Sequence, residues 1–412
     1  GTGTGGAVVS TLTDAGALSI TTDNTAHTAG GSITRTATST LTGTSVSLTT
    51  GTGTIGTGTG ANAISLASGQ TGVVATTHGG TGNIFLDGAG ALGLGAITSN
   101  GANVNVNAAG TVTVAGNLAA GAGTATITTT AGGNIDGGGT ISTSNNGTAI
   151  TLDASGGIGN TTAVNTNLAG GGKLSLTTHG NNAAGDITLV EATALDSGTS
   201  FSATPSLLGT GTHTLTLTTT KATSNAWTVS ASNPIDLSVQ NANVTLITTA
   251  GNIVLNDSVA LGTGTLRLVS AGTVNQTAGN ITAAALGVRA AGDVDITAAL
   301  NHVTTFAASN SSSGKHVSYT DNAALGLGTV AASTGFSSTT GVSTTDGNIT
   351  LQAGAALSVP GNISAGTGTV SLTTTAGNID FSGATTLTAA AVTLNAAAAI
   401  TSGSAGTDID TS

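Results

Sequence analysis

Pairs of aspartates are the residues whose type and spacing could support catalysis in this chain. Asp293-Val294-Asp295 and Asp408-Ile409-Asp410 each place two carboxylates on one face of a short predicted strand. Such a pair could act as acid and base in the cleavage of a sugar, or could bind calcium. The apolar residue between the two carboxylates is expected to point inwards, so both carboxylates are expected to lie in solvent. We therefore predict no catalytic residue in either pair.

The basic residues are too dispersed to bind an acidic sugar. An enzyme that acts on such a substrate needs cations clustered around it, together with acid and base groups. Glu191 is the only glutamate. The six basic residues are Arg35, Lys173, Lys221, Arg267, Arg289 and Lys315. We predict a protein that is not an enzyme, with a carbohydrate-binding or carbohydrate-degrading β-helix as the alternative.

Metal and cofactor sites are not predicted either. The chain has no Cys, and Gly132–Asp136 lacks the tandem spacing of calcium-binding nonapeptides. Gly51–Gly56 matches a dinucleotide fingerprint, which functions only between a strand and a helix, and no helix is expected after it. The histidines show no paired ligand spacing; they are His27, His78, His179, His213, His302 and His316. We therefore predict no metal-binding, cofactor-binding or catalytic residue.

Composition narrows the class of protein further. Charged residues make up only 6 % of the 412 residues, against about 25 % in typical soluble domains. The net charge of -11 argues against nucleic acid and anionic membrane surfaces as partners. No apolar run is long enough to predict a membrane span. Disordered chains combine low hydrophobicity with high net charge, whereas 38 % of this chain is hydrophobic and its mean hydropathy is +0.30. We therefore expect an ordered protein.

Short strands that recur at a fixed period are the main structural signal. Ile64-Ser65-Leu66, Ile84-Phe85-Leu86 and Val104-Asn105-Val106 start twenty residues apart. Near the C-terminal end of the sequence, equivalent triplets begin at a similar spacing, at Ile349, Val370 and Val392. A Gly-Asn-Ile or Gly-Asp-Ile turn recurs at Gly82, Gly133, Gly185, Gly251, Gly347 and Gly377. This period is too short for a propeller blade and suits one coil of a solenoid.

The predicted fold is therefore all-β, a right-handed parallel β-helix (β-solenoid) of about 20 residues per coil, continuous over residues 1–412. Its narrow interior is expected to hold Val, Ile, Leu and Ala but few aromatic rings. The regular strand spacing is interrupted near 191–233 and 301–345, and we interpret these stretches as loops or elaborated coils that leave the stack. The second stretch contains the polar run Ser309–Lys315 and Tyr319.

Segments such as Gly366–Ile379 (Gly-Thr-Gly-Thr-Val-Ser-Leu-Thr-Thr-Thr-Ala-Gly-Asn-Ile) resemble the repeats of filamentous-haemagglutinin-like large exoproteins. These bacterial surface proteins are two-partner-secreted or autotransported. The resemblance covers most of the chain and implies a β-helical shaft that serves adhesion, biofilm or matrix structure. The family's Asn-Pro-Asn-Gly-type secretion motif has only a partial match, Asn233-Pro234-Ile235-Asp236, so the secretion domain is not recognised.

Together these features predict a non-enzymatic structural fibre or adhesin shaft that is secreted and lies outside the cell or on its surface. Neither end of the sequence shows an obvious polar cap, and open strand edges favour stacking of one copy on the next. We therefore expect self-association, with an end-to-end homopolymer as one form of it. Cell-surface or matrix carbohydrate is the other expected partner.

Overall fold

Parallel strands stacked one turn above another make up most of the computed structural model. It describes residues 5–24, 26–381, 383, 385–402 and 407–410, the last four for their backbone only. Strands account for 51 % of the chain and helices for 2 %, and about 17 turns of about 23 residues form a β-solenoid. The predicted all-β solenoid class is thus confirmed, with turns somewhat longer than the sequence period indicated.

The strands are short, and most contain two to six residues. The first twenty are β1 (Ala7–Val9), β2 (Leu12–Thr13), β3 (Ala17–Thr22), β4 (Ile33–Arg35), β5 (Leu41–Thr42), β6 (Ser45–Thr50), β7 (Ile64–Leu66), β8 (Gln70–Thr77), β9 (Ile84–Gly88), β10 (Leu92–Ser99), β11 (Val104–Ala108), β12 (Val112–Val114), β13 (Leu118–Ala119), β14 (Ala125–Thr129), β15 (Ile135–Asp136), β16 (Thr140–Thr143), β17 (Thr148–Ala154), β18 (Val164–Leu168), β19 (Lys173–Thr178) and β20 (Ile187–Glu191). Two short 3₁₀ helices span Gly60–Asn62 and Asn182–Gly185.

The later strands follow the same pattern, with two longer members. They are β21 (Leu195–Asp196), β22 (Ser206–Leu207), β23 (Thr214–Thr219), β24 (Asn225–Val229), β25 (Ile235–Asp236), β26 (Asn243–Thr248), β27 (Asn252–Leu255), β28 (Val259–Ala260), β29 (Thr265–Ser270), β30 (Val274–Gln276), β31 (Ile281–Ala290), β32 (Val294–Ile296), β33 (His302–Ser313), β34 (Val317–Asp321), β35 (Leu325–Gly326), β36 (Thr329–Val330), β37 (Thr339–Thr340), β38 (Val342–Thr345), β39 (Ile349–Ala353), β40 (Leu357–Ser358), β41 (Ile363–Ser364), β42 (Thr369–Thr374), β43 (Ile379–Phe381), β44 (Thr385–Thr388), β45 (Ala391–Asn395), β46 (Ile400–Ser402) and β47 (Thr407–Asp410).

The chain divides into two compact units, each of which is a stack of turns. The first contains Gly1–Thr193 and Thr199–His213, and the second contains Ala194–Gly198 and Thr214–Ser412. In the first unit Ile84 pairs with Val104, Val104 with Ala125 and Ala125 with Ile150, so successive turns differ in length. Turn length varies because the corners between strands differ in length while the strands stay in register.

Alternation along each strand builds the interior. In β11, Val104, Val106 and Ala108 are buried, whereas Asn105 and Asn107 are half-exposed on the outer face. Successive strand side chains point to opposite faces, so the apolar residues of stacked turns meet inside. Each buried Val, Ile or Leu side chain stabilises the fold by about 1.5–3 kcal/mol. The polar middle residue of the triplet Val104-Asn105-Val106 therefore points outwards.

The recurrent glycine turn is a corner closed by a threonine. The hydroxyl of a buried threonine, at or near the end of one strand, donates to the carbonyl of the glycine that begins the next Gly-Asn-Ile or Gly-Asp-Ile triplet. The pairs are Thr77 with Gly82 (2.8 Å), Thr129 with Gly133 (2.5 Å), Thr178 with Gly185 (2.7 Å), Thr248 with Gly251 (3.0 Å), Thr344 with Gly347 (2.6 Å) and Thr374 with Gly377 (3.0 Å). Each threonine hydroxyl thereby supplies a hydrogen bond to a glycine carbonyl at the corner.

The other two residues of the triplet tie one turn to the next. The isoleucine is completely buried at all six positions, which are Ile84, Ile135, Ile187, Ile253, Ile349 and Ile379. The asparagine side chain accepts a backbone N–H from the following turn at 2.9–3.1 Å in five corners, through Asn83, Asn134, Asn252, Asn348 and Asn378. Each residue of the repeat therefore has a separate physical role, which explains why the triplet recurs.

The two stretches predicted to leave the stack differ from that expectation. In the first, Thr177 pairs with Ser206 in one unit and Leu195 with Trp227 in the other, so strands remain and the turns between them are longer than average. In the second, most of the Ser309–Lys315 run lies in the long strand β33, and Tyr319 lies in β34. The serine-rich run was interpreted as a loop because serine favours loops, whereas Ser309 and Asn310 pair with β31, and Ser309 and Ser313 pair with β38.

Only a short hairpin leaves the ladder in the second stretch. Strands β36 and β37 pair antiparallel and fold onto the outer face of the second unit. There Val330 and Phe336 bury themselves against Ala307. Gly287 lies beneath them, and a Cβ atom on it would come within 2.6 Å of the Phe336 ring. The hairpin thus covers a patch of small residues that the strand pattern would otherwise leave in solvent.

The chain has few aromatic side chains, and most of them are buried. Six of the seven are buried, namely Phe201, Trp227, Phe306, Tyr319, Phe336 and Phe381. Rings fit where a turn is long, as at Trp227, or where two rings stack, as Phe306 does on Tyr319 with centroids 4.2 Å apart. Five of these rings lie inside the stack, whereas Phe336 lies under the hairpin on the outer face. The interior thus holds few aromatic rings, as predicted.

Candidate functional site

The aspartate pair singled out from the sequence lies on the outer face, as predicted. Asp293 and Asp295 flank the buried Val294 in β32. The Lys315 ammonium lies 3.2 Å from Asp293, and Nε2 of His316 lies 2.9 Å from Asp295. Burial raises the pKa of Asp293, but the backbone N–H of His316 and the Lys315 ammonium outweigh it and lower that pKa. Asp293 is therefore held in its ionised form by Lys315 and His316 of the following turn.

This arrangement suits an ion pair between turns better than catalysis. A general acid would need a carboxyl with a raised pKa, and the pKa of Asp293 is shifted the other way. The side chains of the second predicted pair, in Asp408-Ile409-Asp410, lie outside the described part of the structure, which includes only their backbone.

The single glutamate is enclosed within the fold by hydrogen bonds. Glu191 is completely buried in the first unit. One of its carboxylate oxygens accepts from the Thr166 hydroxyl at 2.6 Å, and the other accepts from the backbone N–H groups of Leu168 and Thr193 at 3.0 and 2.9 Å. A carboxylate so enclosed is beyond the reach of a substrate, so Glu191 stabilises the corner that follows β20.

A buried polar group also lies inside the second unit. Asp321 accepts hydrogen bonds from the Tyr319 hydroxyl at 2.7 Å and from the Val303 N–H at 2.8 Å. Burial, together with the nearby Asp321 carboxylate, raises the pKa of Tyr319 far above its usual value. The phenol is therefore a permanent hydrogen-bond donor, which makes it a packing residue and not an acid–base group.

Two histidines and an aspartate meet at one corner of the first unit. Nδ1 of His27 lies 2.5 Å from Oδ2 of Asp23, and Nδ1 of His78 lies 2.9 Å from the same oxygen. The two imidazole rings stack with centroids 3.9 Å apart. Asp23 is buried, His78 is one-third exposed and His27 is about half exposed. We refer to Asp23, His27 and His78 as the Asp23 cluster.

The solenoid itself brings the cluster together. Strands β3, β6 and β8 pair in succession, and their last residues Thr22, Thr50 and Thr77 align. The next residue in each turn is Asp23, Gly51 and His78, so these three residues occupy the same corner of three consecutive turns. His78 can approach Asp23 across the middle turn because Gly51 has no side chain. A Cβ atom there would lie 2.6 Å from Oδ1 of Asp23.

No local signal in the sequence marks this cluster, since His27 and His78 are far apart along the chain. Among the residues that the structure describes, it is the one group of three metal-ligating side chains whose donor atoms all lie within 4.8 Å of each other. The signal that could have revealed it is positional: an acidic residue, a glycine and a histidine each follow a strand-ending threonine, in that order, in successive turns.

A hollow on the outer face of the first unit is another feature that could receive a ligand. Phe85 is half-buried on that face, and Asn105 pairs with it in the next turn. The hollow has a volume of about 220 Å³, below the ~300–1,000 Å³ of typical small-molecule sites. Its lining comprises Thr59, Gly60, Ala63, Phe85, Leu86, Asn105, Val106, Asn107, Thr126 and Thr128.

Two of the six basic residues hold parts of the fold together. Arg35 donates to the carbonyls of Ala37, Ser39 and Gly60 at 3.1–3.2 Å, so it braces a corner of the first unit. Arg267, in the second unit, donates to the Ala331 carbonyl at 3.0 Å. Both guanidinium groups are thus used within the fold.

No protein-family model matches the chain, and neither a curated protein nor a solved structure is significantly similar to it. In the described part of the chain no helix has the length and apolar character needed to cross a bilayer.

Proposed function

We propose that this chain is a structural part of a secreted or cell-surface bacterial protein, a β-solenoid shaft without catalytic activity. The observation that carries the proposal is the recurrent corner, in which threonine, glycine, asparagine and isoleucine close one turn and bind the next. Polar side chains are used mainly to hold turns together. The charged groups that an active site would need are few, and those discussed above are paired or enclosed.

The resemblance of the repeats to filamentous-haemagglutinin-like exoproteins supports the same proposal. Such proteins use the solenoid to hold a binding region away from the cell. A regular stack of hydrogen-bonded turns suits that task because each turn is stabilised by contacts with its neighbours. Self-association, including end-to-end assembly, is the partner interaction that we propose for the shaft.

The location can be tested on the cells that produce the protein. Immunogold labelling with an antibody raised against this chain is expected to mark the outer surface and any appendage that projects from it. Brief treatment of intact cells with proteinase should remove the label while a cytoplasmic marker stays intact. Label confined to the cell interior would contradict the proposal.

Self-association is measured separately by sedimentation velocity on purified protein over a hundredfold range of concentration. The expected result is a sedimentation coefficient that rises with concentration. A single species of monomer mass at every concentration would refute this part of the proposal without affecting the location.

Carbohydrate binding is the second candidate, and the hollow around Phe85 is the observation that favours it. An aromatic face beside amide and hydroxyl groups is a suitable platform for a sugar ring. The hollow is small, so we rank this function below the structural one. Binding on a glycan array that is lost in Phe85→Ala and kept in Asn160→Ala, a change at an exposed site on another corner, would reverse the ranking.

A further inference from the structure

We propose that the Asp23 cluster is a binding site for a divalent transition-metal ion of the zinc and copper class. Its three donor atoms are two imidazole nitrogens and one carboxylate oxygen. This donor set suits zinc, copper or nickel, whereas calcium and magnesium prefer oxygen ligands alone. Three protein ligands leave at least one coordination position for water, as at metal sites that are open to solvent.

The orientation of His78 is the first observation that favours a metal over a simple ion pair. Its Nδ1 atom is buried and lies 2.9 Å from Oδ2 of Asp23, yet the geometry is not that of a hydrogen bond. A buried ring nitrogen without a hydrogen-bond partner is costly. A metal ion placed among the three donor atoms would use the lone pair of this nitrogen, which needs to point at the ion and not at the carboxylate oxygen.

The two rings supply a second, independent observation. His27 and His78 stack at 3.9 Å and direct the same type of nitrogen atom towards one oxygen. Two imidazole nitrogens that converge on one point in this way can both coordinate a single cation. His27 also has a φ angle of 56°, which is uncommon for a residue other than glycine. The corner thus holds His27 in an unfavourable backbone conformation that presents its ring to Asp23.

The position of the Asp23 cluster in the stack would let a bound ion hold turns together, in addition to the hydrogen bonds at the corners. Asp23 and His78 follow strands that are two turns apart, and the intervening turn contributes Gly51 at the point of closest approach. An ion bound to both side chains would therefore link two turns of the first unit across the turn that lies between them. Metal binding that requires the folded arrangement also stabilises it.

The experiment uses the full chain after treatment with EDTA and dialysis. Zinc chloride is titrated into it by isothermal calorimetry, and calcium chloride serves as the comparison. We expect one zinc ion per chain, no calcium binding at the same concentrations, and a thermal midpoint that rises with zinc. His78→Ala and His27→Ala should each weaken zinc binding by at least about 100-fold, because each removes one of three direct ligands.

His179→Ala is the matched control. His179 also pairs with an aspartate, Asp153 at 3.0 Å, and it is about half exposed, but no second histidine joins it. This variant should bind zinc as the unaltered chain does. Circular dichroism checks that each variant is folded, and His27 is the safer substitution because its side chain is 53 % exposed. Absence of zinc binding at 100 µM, or equal binding in all three variants, would overturn the proposal.

Discussion

Replacement of Thr178 by valine removes one hydroxyl from a buried corner and leaves the shape of the side chain almost unchanged. Thr178 is completely buried, and its hydroxyl donates to the Gly185 carbonyl at 2.7 Å. Leaving a buried acceptor without its donor costs about 1–3 kcal/mol. Burial of the added methyl group offsets part of this loss of stability, by at most about 0.8 kcal/mol. We therefore expect Thr178→Val to destabilise its turn by about 1–2 kcal/mol.

Thr177→Val is the matched control, because Thr177 precedes Thr178 in β19 and its side chain is only partly buried on the outer face. A surface change of this kind costs less than about 0.5 kcal/mol. Hydrogen exchange monitored by mass spectrometry is the suitable assay, since a stack of turns need not unfold in one step. Exchange in peptides covering residues 174–189 should accelerate about 5–30-fold in Thr178→Val. Equal exchange in the two variants would refute the role given to the corner threonines.

Two further perturbations test other parts of the structure. Phe336→Ala should release the β36–β37 hairpin from the outer face, since Phe336 is 2 % exposed and truncation of a buried Phe costs about 3–5 kcal/mol. Limited proteolysis should then cut within the hairpin of this variant. A hairpin that stays uncut would count against this packing. Acid should weaken the second unit, because the backbone N–H and hydroxyl of Thr367 lower the pKa of Asp346 below its ordinary 3.8. A carboxyl with a lowered pKa stabilises the fold above its unfolded pKa and loses that effect as the pH falls below about 3.8. Asp346→Asn should reduce the fall in thermal midpoint between pH 5 and pH 3, and an unchanged fall would show that Asp346 does not contribute.

The repeat could be read from the sequence because its signal is local. Alternating apolar triplets such as Val104-Asn105-Val106 predict short strands, and their spacing predicts coils. The corner bonds could not be read in this way. The recurrence of Gly-Asn-Ile was evident, but the donor to the glycine carbonyl is a threonine three to seven residues earlier, and only the structure shows the pairing.

Features that depend on several turns were missed for the same reason. The hairpin covers Gly287 and Ala307 from a distance in the chain, so nothing in the strand pattern indicated that this outer face is buried. The Asp23 cluster needs the alignment of three turns, and their unequal lengths hide that alignment in a fixed-period reading. Sequence periodicity therefore predicts the coil. Contacts between the corners of different turns can be predicted only when the register between those turns is known.

Mechanical unfolding within the first unit tests the central claim, that hydrogen-bonded turns make this chain a structural shaft. The chain has no Cys, so Ala61→Cys and Asn160→Cys at two exposed sites would provide unique attachment points for optical tweezers. Each released turn of about 23 residues adds about 80 Å of contour length. We predict unfolding steps near this length or its multiples. Smooth extension without steps at low force would contradict the claim that the turns are held together as a load-resisting stack.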